Sequence, residues 1–593
     1  MAFSGSAARL TESQAEDIAG TIIVDNSKFP GVVQVIPNGV HKLHTTRSWE
    51  FIGLNHHSPR NLLKQSNMGQ GAIIGVIDSG VWPESKSFHD EGMGPVPSHW
   101  KGICQQGESF NSSNCNRKII GARWFVKGFQ DQIPFNTTES REFMSPRDGE
   151  GHGSHTASTA AGNFVGKVSY KGLAAGLARG GAPLAHLEIY KVCWNIEDGG
   201  CTGADLLKAF DKAIHDGVDI LSVSIGNNIP LFSYVDMRNS FAIGSFHATL
   251  NGIPVICSAG NDGPISQTVE NTAPWLITVA ASTIDRTFPT AITLGNNKTL
   301  WVRSPTAKLS FPKTVVGKRV SPRLASFSSR GPSSISPEVL RPDIAAPSVD
   351  ILAAHRPANK DQVDSYEFLS GTSMACPHVT GIVALIKSLH PNWSPAAIRS
   401  ALVTTASQTG TDGIKIFEEG SSRKEADPFD IGGGHVNPEK AVYPGLVYDT
   451  NTKEYIQFLC SMGYSSSSVT RLTNATINCM KKANTRPNSN LPSITIPNLK
   501  TRAKVARKVT NVGNVNSVYK AIVQAPFGIN MRVEPTTLSF NMNNKILSYE
   551  VTFFSTQKVQ GGYRFGSLTR TDGEHFVRSP ISVRAMDQAY ADV

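Results

Sequence analysis

The chain has 593 residues, more than a single hydrophobic core usually serves, so two or three domains are expected. Apolar residues make up 39 % and charged residues 18 %, which excludes a disordered chain, and no apolar run approaches the ~18 residues of a membrane span, which leaves out a membrane partner. The net charge of +10 is scattered, with no basic surface interleaved by aromatics, so nucleic acid is left out too; the one modest cluster, Lys500, Arg502, Lys504, Arg507 and Lys508, reads as a solvated strand face.

In chain order, residues 72–77 (Ala-Ile-Ile-Gly-Val-Ile) form a short continuous apolar run, the pattern of a strand buried on both faces of a parallel sheet. Residues 203–215 set Leu206, Ala209, Phe210 and Ala213 on one helical face. Apolar runs at 218–225 and 253–257 predict two more buried strands. Residues 373–389 predict a helix with Val379, Ile382, Val383, Ile386 and Leu389 on one face and small residues on the others, which belongs in a core. Strands alternating with helices predict an α/β domain with a mostly parallel sheet. In such sheets chemistry gathers at the carboxyl ends of strands. Asp78 directly follows the first run, Ser224 and Gly226 end the second, and Asn261 follows the third through Ser258, Ala259 and Gly260. After about residue 490 the period changes to two, as in Val505-x-Arg507-x-Val509, Ile529-x-Met531-x-Val533 and Tyr549-x-Val551-x-Phe553, which predicts an all-β sandwich.

Six of the eight cysteines fall into close pairs, Cys104 with Cys115, Cys193 with Cys201, and Cys460 with Cys479. None has zinc-site spacing, so disulfides made in an oxidising compartment are expected, with Cys257 and Cys376 left as buried thiols. Asn-x-Ser/Thr sequons occur at Asn111, Asn136, Asn297, Asn392 and Asn474. The N-terminus lacks the 7–15-residue apolar core of a signal peptide, so none is expected in this chain.

The candidate chemistry is one carboxylate, one imidazole and one hydroxyl. Ser373 stands where glycine-rich sequence meets a helix, whose N-terminal N–H groups favour developing negative charge; the plainer reading is a helix cap. His152 opens a run of small residues. His155, three residues on, reads as a hydrogen-bonded structural histidine, because no third metal ligand stands near. Asp78 reads as a strand-end carboxylate or an Asx turn. Asn261 offers an amide N–H to an oxyanion, or merely holds a left-handed turn. A hydroxyl nucleophile needs a positioned base, and the base needs a group to hold its tautomer.

Together these motifs resemble the subtilases, and closely the plant subtilisin-like serine proteases. The resemblance rests on His-Thr-Thr-Arg-Ser-Trp at 44–49, Gly-Val-Ile-Asp-Ser-Gly-Val-Trp-Pro-Glu-Ser at 75–85 and Ser-Pro-Arg-Asp-Gly-Glu-Gly-His-Gly-Ser-His-Thr at 145–156. It continues at Ala-Ser-Phe-Ser-Ser-Arg-Gly-Pro (325–332), Gly-Thr-Ser-Met-Ala-Cys-Pro-His (371–378) and Val-Arg-Ser-Pro (577–580). The Asp…His…Ser order is that of subtilisin. The resemblance implies a subtilisin-like parallel sheet flanked by helices, followed by a fibronectin type III-like sandwich. It implies a serine endopeptidase in which Ser373 attacks the scissile carbonyl, His152 carries the proton, Asp78 orients His152, and Asn261 binds the oxyanion. Ser224, Ile225 and Gly226, with Ser258, Ala259 and Gly260, would border an extended peptide. It further implies a secreted, extracellular glycoprotein made as a zymogen, with its own propeptide as a partner and the cut between His44 and Thr45. A monomer is expected, and neither a cofactor nor a metal.

The expected domains are therefore 1–44, a shortened inhibitor-type propeptide; 45–480, the catalytic domain; and 490–585, the sandwich. Residues 20–28 read as an insertion. Only residues 297–324 stand where relatives usually carry a protease-associated domain. Ser154 replaces a usual Thr, and Arg570 a usual Trp. These departures bear on folding more than on chemistry. Two rival classes are an inactive subtilase homologue that only holds peptides, and an α/β-hydrolase esterase. The second needs Ser…Asp…His order and a glycine where Ala375 stands.

Overall fold

A computed structural model describes residues 46–586, apart from 59–60, 131–141, 197–198, 227–238, 289–291, 295–306, 310–313, 318–321, 359–364, 411, 420–423, 474–475, 480–488 and 557–560, together with Thr11, Ser13 and Gln14. The chain divides into two units, Met1–Leu43 and His44–Val593. The second unit carries a parallel sheet and a β-sandwich.

The parallel sheet is built from β1 (Ile73–Asp78), β2 (Ile119–Trp124), β3 (His186–Lys191), β4 (Ile220–Val223), β5 (Val255–Ser258), β6 (Ile277–Ser282) and β7 (Ile344–Pro347). Their order is β2-β3-β1-β4-β5-β6-β7, every pair parallel. All six residues of β1, β3 and β6 are buried, as the apolar run of β1 predicts, although β3 buries His186, Glu188 and Lys191 as well. Alternation divides β1 between two cores. Ile74 and Val76 pack with α1 (His152–Ala161) and α4 (Thr372–Leu389) on one face, whereas Ile73 and Ile77 pack with α2 (Gly203–Asp216) and α3 (Ser240–Leu250) on the other. α2 starts where the Thr202 hydroxyl accepts from Asp205 N–H and stops at Gly217, which is left-handed at φ 84°. Against the predicted runs, β4 is two residues shorter at each end of 218–225 and β5 starts two residues after 253 and ends one after 257, while α2 and α4 fall within one residue of prediction.

The sandwich comprises β8 (Leu446–Val447), β9 (Ile494–Leu499), β10 (Arg502–Asn511), β11 (Ser517–Gln524), β12 (Ile529–Glu534), β13 (Thr537–Phe540), β14 (Ile546–Ser555), β15 (Arg564–Thr571) and β16 (Phe576–Ala585). One sheet runs β8-β10-β14-β12 and the other β9-β16-β15-β11-β13. Val505, Val509, Tyr549, Val551 and Phe553 face the shared core, as the period of two predicted. Arg507 corrects the reading of the basic cluster. It lies on the inner face opposite Tyr549, 4 % exposed, and its guanidinium donates to the carbonyls of Leu491, Ser493 and Ala506. Backbone acceptors satisfy the buried cation where water would otherwise be needed. β8 belongs to the sandwich although it precedes residue 490. Next to it, Tyr448 O–H meets Tyr549 O–H at 2.7 Å and Ser579 Oγ at 2.9 Å, while its backbone N–H donates to Ser400 Oγ.

Candidate active site

Asp78 is the last residue of β1, 2 % exposed. Its Oδ1 accepts from the Ser79 N–H at 2.8 Å and lies 2.7 Å from His152 Nδ1; its Oδ2 accepts from the Thr156 hydroxyl at 3.0 Å. The imidazole is delivered by the first residue of α1. Glycines on either side let it approach. Gly151 is left-handed at φ 108°, and a Cβ there would sit 2.2 Å from His355 Nε2; a Cβ on Gly153 would sit 2.3 Å from Gly80 O. The start of α1 is capped from a distance. The buried Asp148 carboxylate accepts from the N–H groups of Glu150, Gly151 and Ser154, and from the Ser79 and Ser154 hydroxyls.

The His152 ring keeps 26 % of its surface exposed. Burial alone would lower its pKa, but the charge and hydrogen bond of Asp78, with Glu150 and Asp148 behind them, outweigh burial and raise it to about 9. A pair of this kind holds Nδ1 as the donor and leaves Nε2 for proton traffic.

Ser373 is the second residue of α4. Its hydroxyl donates to Ser224 O at 3.4 Å, and Ser224 Oγ donates to Ser373 O at 2.9 Å. The second bond has a cause four residues on. Pro377 has no N–H, so the Ser373 carbonyl lacks its helical partner, and the Ser224 hydroxyl supplies the missing donor. The end of β4 is thus tied to the start of α4. The exposed Asn261 is oriented by the same helix, because its Oδ1 accepts from both the N–H and the hydroxyl of Thr372. A backbone N–H can only donate, so the amide NH₂ is turned away, and it lies near Gly371.

A cleft of about 370 Å³ lies over these strand ends. Asp78, His152, Glu150, Ser224, Ile225 and Gly226 line it, and the hairpin closed by the Cys193–Cys201 disulfide forms another wall. The arrangement offers a carboxylate-held imidazole, a hydroxyl at a helix N-terminus and a side-chain amide, the parts needed for acyl transfer.

Residues 69–426 match the subtilase family, and residues 488–583 match a fibronectin type III domain. The chain is 46 % identical to the subtilisin-like protease SBT3.5 of Arabidopsis thaliana, over 98 % of this chain and 89 % of the relative. It is 45 % identical to SBT3.3 of the same plant over the same shares of each chain. The chain belongs to the subtilase family. It is a serine-type endopeptidase of the plant subtilisin-like kind, with the parallel sheet of that family and a C-terminal fibronectin type III domain. The alignment with SBT3.5 spans 697 positions against 593 residues here, so that relative carries internal segments this subtilase lacks.

The remaining predicted site residues divide into three groups. Ser258, Ala259 and Gly260 are buried and do not line the cleft; the Ala259 N–H donates to Val279 O, its carbonyl accepts from Glu270, and the Gly260 carbonyl accepts from Ser329. The three expected disulfides join Cys104 to Cys115, Cys193 to Cys201 and Cys460 to Cys479, while Cys257 and Cys376 are buried thiols. Of the sequons, Asn111 and Asn392 are exposed. Asn136, Asn297 and Asn474, like His44 and Thr45, lie outside the described residues. His155 is buried with Nε2 on Ile351 O at 2.8 Å, and burial lowers its pKa to about 3, which keeps it neutral.

Three residues of this subtilase's site, Asp148, Thr156 and Pro377, escaped sequence reading, and a fourth, Ser224, has a second role there. Asp148 and Thr156 act through hydrogen bonds that only the fold assembles. Ser224 was singled out, but for substrate pairing and not for its bond to Ser373. Pro377 carried the one usable signal, a proline four residues after the candidate nucleophile.

Proposed function

We propose that this subtilase hydrolyses peptide bonds within extended polypeptides through Asp78, His152 and Ser373. The observation that carries the reading is the short His152–Asp78 bond at one rim of the sheet, where Ser224 both lines the cleft and binds Ser373. His152 Nε2 takes the Ser373 proton as Oγ attacks the scissile carbonyl, then returns it to the leaving amine. Asp78 stabilises the imidazolium formed between those steps. The Asn261 amide and the Ser373 N–H receive the oxyanion, and the Ser224–Gly226 strand end adds the substrate backbone as a further strand. In this reading residues 1–44 act as propeptide, released between His44 and Thr45, ahead of a catalytic domain over 45–480 and a sandwich over 490–585. The mature protein acts outside the cell as a monomeric glycoprotein.

The test is digestion of a denatured protein substrate by the full chain and by Ser373→Ala, with N-terminal sequencing of all products. New substrate termini, and a mature terminus at Thr45, are expected with the wild type alone. Equal fragmentation by both proteins, or none by either, would contradict the reading.

A further inference from the structure

The cleft holds three ionisable side chains, and their charges do not balance locally. His152 answers Asp78 at 2.7 Å. The third, Glu150, acts on His152 only through its charge and forms no ion pair of its own among the described residues. Its backbone is pinned on both sides, since its N–H donates to Asp148 Oδ1 at 3.1 Å and its carbonyl accepts from Arg356 Nε at 3.1 Å. Its carboxylate is exposed, lines the cleft, and enters no ion pair among the described residues. Among the described residues neither a lysine nor an arginine lines the cleft, and the hairpin side offers the exposed Asn195 with Gly199 and Gly200. A pinned backbone fixes the root of this side chain two residues from the imidazole. The neighbouring volume, about 370 Å³, has room for a long side chain.

We propose that Glu150 is a specificity-determining residue that selects substrates placing a lysine or arginine side chain between His152 and the Cys193–Cys201 hairpin. The inference rests on the proteolytic reading above and adds to it a substrate class. Glu150 is not part of the proton relay. A carboxylate in a partly enclosed cleft attracts a substrate cation directly and repels an acidic side chain, so discrimination comes from both signs of charge.

The experiment uses the full chain and a peptide set in which each of the four residues before the cut is in turn Lys, norleucine or Glu. The expected result is one position at which kcat/KM for Lys exceeds that for norleucine by roughly tenfold, with Glu poorest. Glu150→Gln should bring that ratio close to one, and Glu150→Lys should reverse the order in favour of Glu. A ratio near one at every position, or a ratio that survives Glu150→Gln, would overturn the proposal. The same peptides titrated against Ser373→Ala give the ratio as Kd without any turnover. Loss of hydrolysis with the Kd ratio intact would count against the proteolytic reading alone, and a flat Kd ratio would count against the role of Glu150.

Discussion

Replacing Asp78 by Asn removes one charge and keeps the shape, and the structure sets the size of the effect. The Ser79 N–H points at the same oxygen that meets His152 Nδ1. Because that N–H can only donate, the carboxamide oxygen has to take the Oδ1 position, and the NH₂ falls opposite Thr156. The Thr156 hydroxyl can rotate to accept it. The His152 tautomer is therefore retained in Asp78→Asn, and charge alone is lost. Relaxing the imidazole from about 9 to the ordinary 6.5 corresponds to roughly 3 kcal/mol of imidazolium stabilisation, or a hundred- to a thousandfold in kcat. That is less than the ~10⁴ seen where a carboxamide enforces the wrong tautomer. Initial rates on a quenched-fluorescence peptide, with active sites titrated, measure it. The pH profile carries a second readout. A base has to be neutral to act, so the wild-type rate rises with pH through the raised His152 pKa, and the variant's acid limb moves to lower pH. A loss of 10⁴ or more, or an acid limb that stays in place, would refute the argument.

Asn261→Ala should lower kcat by roughly 10²–10³ with little change in KM, because the amide meets charge that exists only in the transition state; a KM effect alone would remove it from that role. Ser224→Ala should strip the Ser373 carbonyl of the donor that Pro377 makes necessary, costing about 1–2 kcal/mol in denaturant unfolding and lowering kcat; an unchanged midpoint would show that the carbonyl finds another donor. Tyr448→Phe should destabilise by about 1–2 kcal/mol, because it removes the hydroxyl shared with Tyr549 and Ser579 in a buried site; a neutral substitution would mean those two hydroxyls re-pair.

Three central strands, β1, β4 and β5, were legible because each is a continuous apolar run, and the residues just past such a run mark the functional edge of the sheet; β3 was not, because its buried His186, Glu188 and Lys191 break the apolar pattern. The disulfide pairs were legible because each closes a short local loop. What escaped depended on distance. β8 has two residues, too few for any period, and its partners, Thr510 and Asn511, lie far along the chain. Arg507 was placed on a solvated face because a charged residue at an alternating position usually is. Nothing local signals that the carbonyls of Leu491 and Ser493 come round to receive it. Asp148 looks like any turn residue until Ser79 and the first turn of α1 converge on it. Glu150 is one acid among 47 acidic residues until the fold places it on the cleft with no ion pair among the described residues.

The most direct test of the central claim, that Ser373 is a hydroxyl activated by His152, is labelling of the folded full chain with a fluorophosphonate followed by peptide mapping. The account predicts one adduct, on Ser373, abolished by Ser373→Ala and reduced by orders of magnitude in His152→Ala. An adduct elsewhere, or labelling of Ser373 that is undiminished without His152, would contradict it.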